Sequence, residues 1–479
     1  MKKKMLRCAC FLCAVAMLFS VCACKKSPQE FSSVVIWEDE DYASTASPAN
    51  GQDASSNAGA TDSSSSGTAS QNTQSAKTTN LTRDQVMAQM PAKLRGTTIK
   101  YMSWDNPKKS VEKDAIAAFE KETGIKVEVE QVDLSKKFDI LTARVAAGSA
   151  PDIFRTDEIY PSIVKNLQPI DNLNFNFNDK AWNWQMMHDF TFNGKTYGML
   201  LQDTPFIPIA LFFYNKAALK KAEMDNMDPY TIWKNNPNDW NWAKFWEICE
   251  TFVNRNGNKD GYYGAGFSET YVYAYTRAFG LSNLTYDYKT NSYSSQLKNQ
   301  KYVECMKTIA DKVQSKAIAW QGAGGFEQGQ ILFEYNWSQN TNAGNIYYKN
   351  LKDRNNLGVV PIPTDSTATL CYQHYMLCIP VGAKNPEAVP YFVRYIQDRK
   401  GYNLDTLYAV PNSQEVIEWT LDRAKKQQNL FVGSSVHNYS YIHGLLGADS
   451  SQTKKFCDSF AATFEAAAKK NNEDILALK

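Results

Sequence analysis

Hydrophobic positions between Gly96 and Arg155 change period several times, and each change predicts an element. "TTIKYMSW" reads as a strand. In the following "SVEKDAIAAFEKETG", Val111, Ala115, Ile116 and Phe119 share a helical face, with Ser110 placed to cap the start and Gly124 to close the end. "IKVEVEQV" then alternates strictly, with Ile125, Val127 and Val129 on one side and charges on the other, the mark of a half-buried strand. Leu134, Phe138, Leu141 and Val145 outline a second helix, and "APDIF" a third, short strand. The order β-α-β-α-β predicts a parallel sheet with right-handed crossovers, in which ligands sit beyond the carboxyl ends of the strands. Those ends carry Trp104, Asp105 and Asn106 after the first strand, and Arg155, Thr156, Asp157 and Glu158 after the third.

A second unit follows. "FIPIALFFYN" is a continuous apolar run fit for a buried strand, with Pro205 and Pro208 stiffening its approach. "DWNWAKFWEICETFV" predicts a helix capped by Asn241, with Trp240 and Phe245 forming a hydrophobic staple and Phe245, Cys249 and Phe252 facing inward. Two α/β lobes are the natural partition of about 380 ordered residues.

The N-terminal pattern is of another kind. Lys2, Lys3, Lys4 and Arg7 precede the apolar run "CACFLCAVAMLFSV", which reads as an export signal and is too short for a spanning helix. From Ala43 to Asn80 nearly every residue is Ala, Ser, Thr, Asn, Gln or Gly, a composition that cannot bury enough apolar surface to fold. It predicts a flexible tether with a reach of about 35 Å, and places the start of the folded part near Gly96. "FSSVVIW", Phe31 to Trp37, interrupts this polar run and is open to a role on the membrane or on a partner.

Composition narrows the function. The leader holds four of the 52 Lys and Arg and no acid, so what remains is 48 basic against 50 acidic residues. A near-neutral chain lacks the basic surface that nucleic-acid binding requires. Beyond the leader, Cys249, Cys305, Cys371, Cys378 and Cys457 are an odd, scattered set with neither a disulfide framework nor zinc-site spacing, and read as buried free thiols. "NRNGNKDGYYG" spaces Asn254, Asn256, Asn258 and Asp260 at alternate positions, as a calcium loop spaces oxygens, but Phe267 stands where such a loop carries Glu; a turn of residues that tolerate left-handed backbone is the alternative. His188, His374, His437 and His443 make no zinc motif, and there is no Walker loop or G-x-S-x-G elbow. A glycosidase needs only two acids across a cleft, so a glycoside-acting enzyme stays open on these grounds.

Two resemblances go further. Cys24 is preceded by "VCA", which resembles the lipobox of bacterial lipoproteins. It implies a signal peptide over residues 1–23, acylation of Cys24 with chains such as palmitate, a tether over 24–95, and a place on the outer face of the cell membrane. In the folded part, "FEKETGIKVEV", "APDIF", "NGKTYGML", "FFYNKAALKKAEM", "WNWAKFWEIC", "FEQGQILFEYNWSQ", "VVPIPT" and "IPVGAKNPEAVPYFVRYI" occur in the order seen in extracellular solute-binding proteins of carbohydrate ABC importers. That resemblance implies a periplasmic-binding-protein-like fold of two α/β lobes, 96–205 with 366–411 and 209–364 with 414–479. Crossovers would lie near Pro205 to Pro208, Pro361 to Asp365 and Pro411 to Ser413. It also implies a monomeric binding protein rather than an enzyme, with no cofactor or metal, a carbohydrate ligand and an ABC permease as partner. Sugars present flat C–H faces edged by hydroxyls and so call for aromatic platforms and planar polar groups. By resemblance "GFSETYVYAY" brings Glu269 and Tyr271 to the cleft and "EYNWSQ" brings Trp337. With Trp104, Asp105, Asn106, Asp157, Asp203 and His374 they make the expected ligand set. His374 stands where the family has a small residue, which leaves the ligand's size open, and a non-sugar solute is the remaining alternative.

Overall fold

A computed structural model describes residues 79–204, 209–266, 275–287, 289–319, 325–341, 351, 353–363, 375–398, 408–426 and 449–478. The expected first sheet is present: Lys126–Gln131, Thr98–Ser103 and Ile153–Thr156 lie side by side and parallel. Met376–Pro380 extends it antiparallel, pairing Met376 with Thr156, and in turn carries the short strands Leu167–Gln168 and Gly198–Met199. The second sheet runs Ile318–Ala319, Tyr263–Gly266, Ile331–Trp337, Ala210–Asn215 and Leu357–Pro361. Its inner strand Ala210–Asn215 is buried at every position, as a continuous apolar run requires when both faces are covered.

The helices follow the pattern with one correction. Lys113–Thr123 ends on Gly124 in the left-handed conformation, and Ile116 and Phe119 are buried. The start differs from expectation. Ser110 does not cap this helix with its side chain, Glu112 occupies the cap, and Val111 is 40% exposed while Glu112 is 3% exposed. The reason is electrostatic: Glu112 turns inward to face Arg155 at 3.8 Å, which rolls Val111 out. Lys137–Ala146 is the second helix, with Leu141 fully buried. Trp242–Arg255 matches closely: the Asn241 side chain accepts from the Lys244 N–H at 3.0 Å, and the Trp240 and Phe245 rings meet edge to face at 6.2 Å. This helix seats on the strand Tyr263–Gly266, where Gly264 leaves no room for a side chain. Cys249, Cys305, Cys378 and Cys457 are buried free thiols, while Cys371 lies outside the described residues.

The folded part begins earlier than Gly96. Thr79 pairs with Asp179, Arg83–Ala88 is a helix with a Thr82–Gln85 capping box, and Val86, Met87, Met90 and Leu94 are buried. The apolar spacing of "VMAQMPAKL" is short enough to be lost beside the long polar tract. The Asn254–Gly261 loop is a turn with Gly257, Asn258 and Gly261 at positive φ, and the Lys316 ammonium reaches the Asp260 carboxylate at 2.7 Å and the Asn258 carbonyl at 3.2 Å. The one acid of that loop is thus paired within the chain.

Of the three crossovers, Pro205 to Pro208 lies outside the described residues, as do 364–374. Around the third, Ala409 donates to the Thr341 carbonyl at 3.0 Å, Asn412 has φ 66°, and the helix Ser413–Lys426 follows, packed on the strand Leu357–Pro361 of the second sheet.

Candidate ligand-binding site

Strand direction assembles the site. Parallel strands put Trp104, Asp105 and Asp157 at one edge of the first sheet, and the antiparallel Met376–Pro380 delivers Tyr375 to that same edge, because Met376 is level with Thr156. At the centre lies Arg155, 5% exposed. Its Nη1 donates to both oxygens of Asp105 at 3.0 Å, and its guanidinium rests 4.6 Å from the Tyr375 ring centre and 5.4 Å from that of Trp104. Ser103 Oγ donates to Asp105 as well, so this carboxylate is fixed from two sides.

A second ion pair stands beside the first. Lys137 donates to Asp157 at 3.1 Å, both side chains at 5% exposure or less, and its ammonium lies 5.6 Å from the Trp104 ring centre and 4.9 Å from that of Phe138. Trp104 is thus braced by two cations and by the edge of Tyr375 at 5.3 Å. Burial opposes the charge on Arg155, yet the attraction of Asp105 and then Glu112 outweighs it and holds the guanidinium protonated. Burial pushes the Glu112 carboxyl above its ordinary range; Arg155 pulls it back down and Asp105 adds to the rise. Burial and the Glu112 charge likewise raise the Tyr101 phenol. The arrangement offers a rigid aromatic wall and an oriented carboxylate, 30% exposed, which is what a polyhydroxylated molecule requires.

Asn106 and Asp203 take no part in this cluster. The Asn106 side chain accepts from the Lys108 N–H at 3.0 Å, capping the turn Pro107–Lys109. Asp203 is exposed. Glu269, Tyr271 and His374 lie outside the described residues. Trp337 ends a central strand of the second sheet at 5% exposure, paired with Ala210 and edge to face with Tyr335.

At the third crossover lies a cavity of about 660 Å³ lined by Tyr408 to Glu415, Glu418 and Trp419. Its wall is tied by the Ala409–Thr341 bond to the turn that follows Trp337. Trp419 is held edge to face by Trp233 at 5.4 Å with Arg423 over its ring at 5.3 Å, and Gln414 donates to Glu418 at 3.1 Å. Sequence reasoning named Arg155 at a strand end but gave it no role, and it missed Lys137, Tyr375, Tyr408 and Trp419. Only the antiparallel return of Met376–Pro380, which no local pattern announces, brings Tyr375 in.

Comparison with known proteins now fits this geometry. A profile of the bacterial extracellular solute-binding proteins matches residues 114–409. The chain belongs to that family. Its members bind solutes and are not enzymes, so a glycoside-acting enzyme is set aside. Among solved solute-binding proteins, the GacH receptor of Streptomyces glaucescens, studied unliganded and with acarbose, is 19% identical over 77% of this chain and 98% of its own, with a TM-score of 0.56. The sugar-binding protein MalE of Xanthomonas citri is 13% identical over 80% and 98%, with a TM-score of 0.56. Maltose-bound MalE3 of T. maritima is 17% identical over 77% and 99%, with a TM-score of 0.52. No curated protein matches the chain. At these identities the solved structures establish the two-lobe α/β architecture of this solute-binding protein.

Proposed function

We propose that this solute-binding protein captures a carbohydrate, an oligosaccharide, and delivers it to the permease of an ABC importer while tethered to the membrane by acylated Cys24. The observation that carries the ligand reading is the Asp105 carboxylate, held by Arg155 against the aromatic wall of Trp104 and Tyr375. A fixed carboxylate accepts paired hydroxyl donors, and an aromatic wall packs against the C–H faces of a pyranose. Asp157, paired with Lys137, is the further candidate of this half, which the first lobe supplies. By family resemblance Glu269 and Tyr271 are assigned to the other half, with Tyr408 and Trp419 beside the third crossover as further candidates, while Trp337, 5% exposed at the end of its strand, would support that half from the core. His374 and Asp203 remain candidate contacts by resemblance alone. The acarbose and maltose complexes of GacH and MalE3 support a sugar as the solute.

A thermal-shift screen of mono- and oligosaccharides tests this. A ligand at one hundred times its dissociation constant adds about 2.7 kcal/mol to the bound state. The same ligand closes the lobes and lowers the radius of gyration in small-angle scattering. A screen in which amino acids or peptides shift the transition and sugars do not overturns the carbohydrate reading.

A further inference from the structure

The segment Thr79–Met90 is zipped onto the first lobe by contacts that neither ligand capture nor attachment to a tether explains. Thr79 donates to the Asn178 carbonyl at 2.8 Å, Lys180 donates to the Thr79 carbonyl at 3.0 Å, and the Leu81 N–H reaches Asp179 Oδ2 at 2.9 Å. Arg394, 5% exposed, donates to the Leu81 carbonyl at 2.7 Å, and the Arg83 guanidinium lies 4.7 Å from the Tyr395 ring centre. Val86, Met87 and Met90 are buried against the helix Val389–Ile396.

The stretch 178–183 and the end of the helix Val389–Ile396 also hold the chain that leads out of the first lobe. Asp179 Oδ1 accepts from Ala181, the Gln202 N–H donates to the Ala181 carbonyl at 2.7 Å, and the Asn183 N–H donates to the Leu200 carbonyl at 2.9 Å. Gln397, just past the helix Val389–Ile396, accepts from the Leu201 N–H at 3.1 Å. Three stretches therefore lie in hydrogen-bonded succession, 79–81, 178–183 and 200–202, and the last runs two residues later to Thr204, the end of the described first lobe.

We propose that Thr79–Met90 is a strap that fixes the first-lobe end of the first crossover, holding Leu200–Thr204 to the lobe body so that movement between the lobes begins beyond it. Asp179 is the keystone, because one oxygen holds the strap at Leu81 and the other holds Ala181, whose carbonyl in turn receives Gln202 of the exit segment. This goes beyond the binding reading, and its test uses no ligand, so the two fail separately.

The test is hydrogen exchange on the full chain. In a Thr79→Pro/Leu81→Pro variant, which removes two strap N–H donors and alters nothing in the lobe body, the amides of Asn183, Leu201 and Gln202 exchange at least tenfold faster. The strand Ala210–Asn215 meanwhile keeps its protection, which reports a folded protein. In the unaltered protein under mild denaturant, Val86, Leu201 and Gln202 open together with one denaturant dependence. Strap amides that open while Leu201 and Gln202 stay protected, in either experiment, overturn the proposal.

Discussion

Replacing Arg155 by methionine is the sharpest perturbation of the site, because it removes the charge while keeping much of the stem volume. Asp105 then loses two hydrogen bonds at 3.0 Å, and Glu112, 3% exposed, loses its cation at 3.8 Å. Breaking a buried pair from one side costs about 3–5 kcal/mol, since the partner charge is left in a poor dielectric. Asp105 is 30% exposed and water recovers part of that loss, which places the expected destabilisation near the lower figure, about 3 kcal/mol. Urea unfolding of Arg155→Met beside the parent at pH 7 measures it. Acidification supplies the sign. The Glu112 carboxyl is already raised by burial in the parent, against the pull of Arg155, and removing Arg155 raises it further. A raised acid binds its proton more tightly folded than unfolded, so stability is fully present below the unfolded value and is lost as pH climbs through the folded one. The deficit of Arg155→Met therefore shrinks as pH falls from 7 toward about 4.5, the ordinary glutamate range. Adding Glu112→Gln recovers about 1–2 kcal/mol at pH 7, as expected for residues in direct contact. A loss under about 1 kcal/mol, or a deficit that grows on acidification, would refute the view that Arg155 holds two carboxylates in place.

Trp337→Ala lowers folding stability by about 3–5 kcal/mol, because the indole is in the core at the end of a central strand; denaturant unfolding within 1 kcal/mol of the parent would return it to the surface. Gly264→Ala drives a methyl into Cys249 and costs about 1–3 kcal/mol, read as a lower melting temperature; an unchanged melting temperature would refute the tight seating of the helix Trp242–Arg255. Cys24→Ala leaves the protein in the soluble or uncleaved fraction, and a processed variant that still sediments with membranes would end the anchor proposal.

Much of the architecture was legible because period and punctuation agree along the chain. The alternation of Ile125, Val127 and Val129, the left-handed Gly124 and the Asn241 cap are local, and local rules settle them. The strap was not legible, because its apolar residues are few and gain their burial from the helix Val389–Ile396, about three hundred positions away. Nor was the partnership of Arg155. Its place at a strand end was clear, but whether a strand-end arginine faces solvent, a carboxylate or a ring depends on which other chain segments arrive there.

Val111 and Glu112 show how site and fold constrain each other. Helical periodicity favoured Val111 for the interior, and a simple transfer argument gives about 1.5–3 kcal/mol for burying it. The structure instead buries Glu112, whose carboxylate belongs in water by the same reasoning. What reverses the order is the guanidinium at the neighbouring strand end: an arginine buried with Asp105 alone would share its charge with a partly solvated carboxylate, and a second acid from the next helix completes the neutralisation. The start of that helix is thus set by the ion cluster rather than by its own apolar stripe. A substitution meant only to alter ligand contacts at Arg155 will for that reason move the helix Lys113–Thr123 as well, and affinity changes there are interpretable only beside a stability measurement on the same variant.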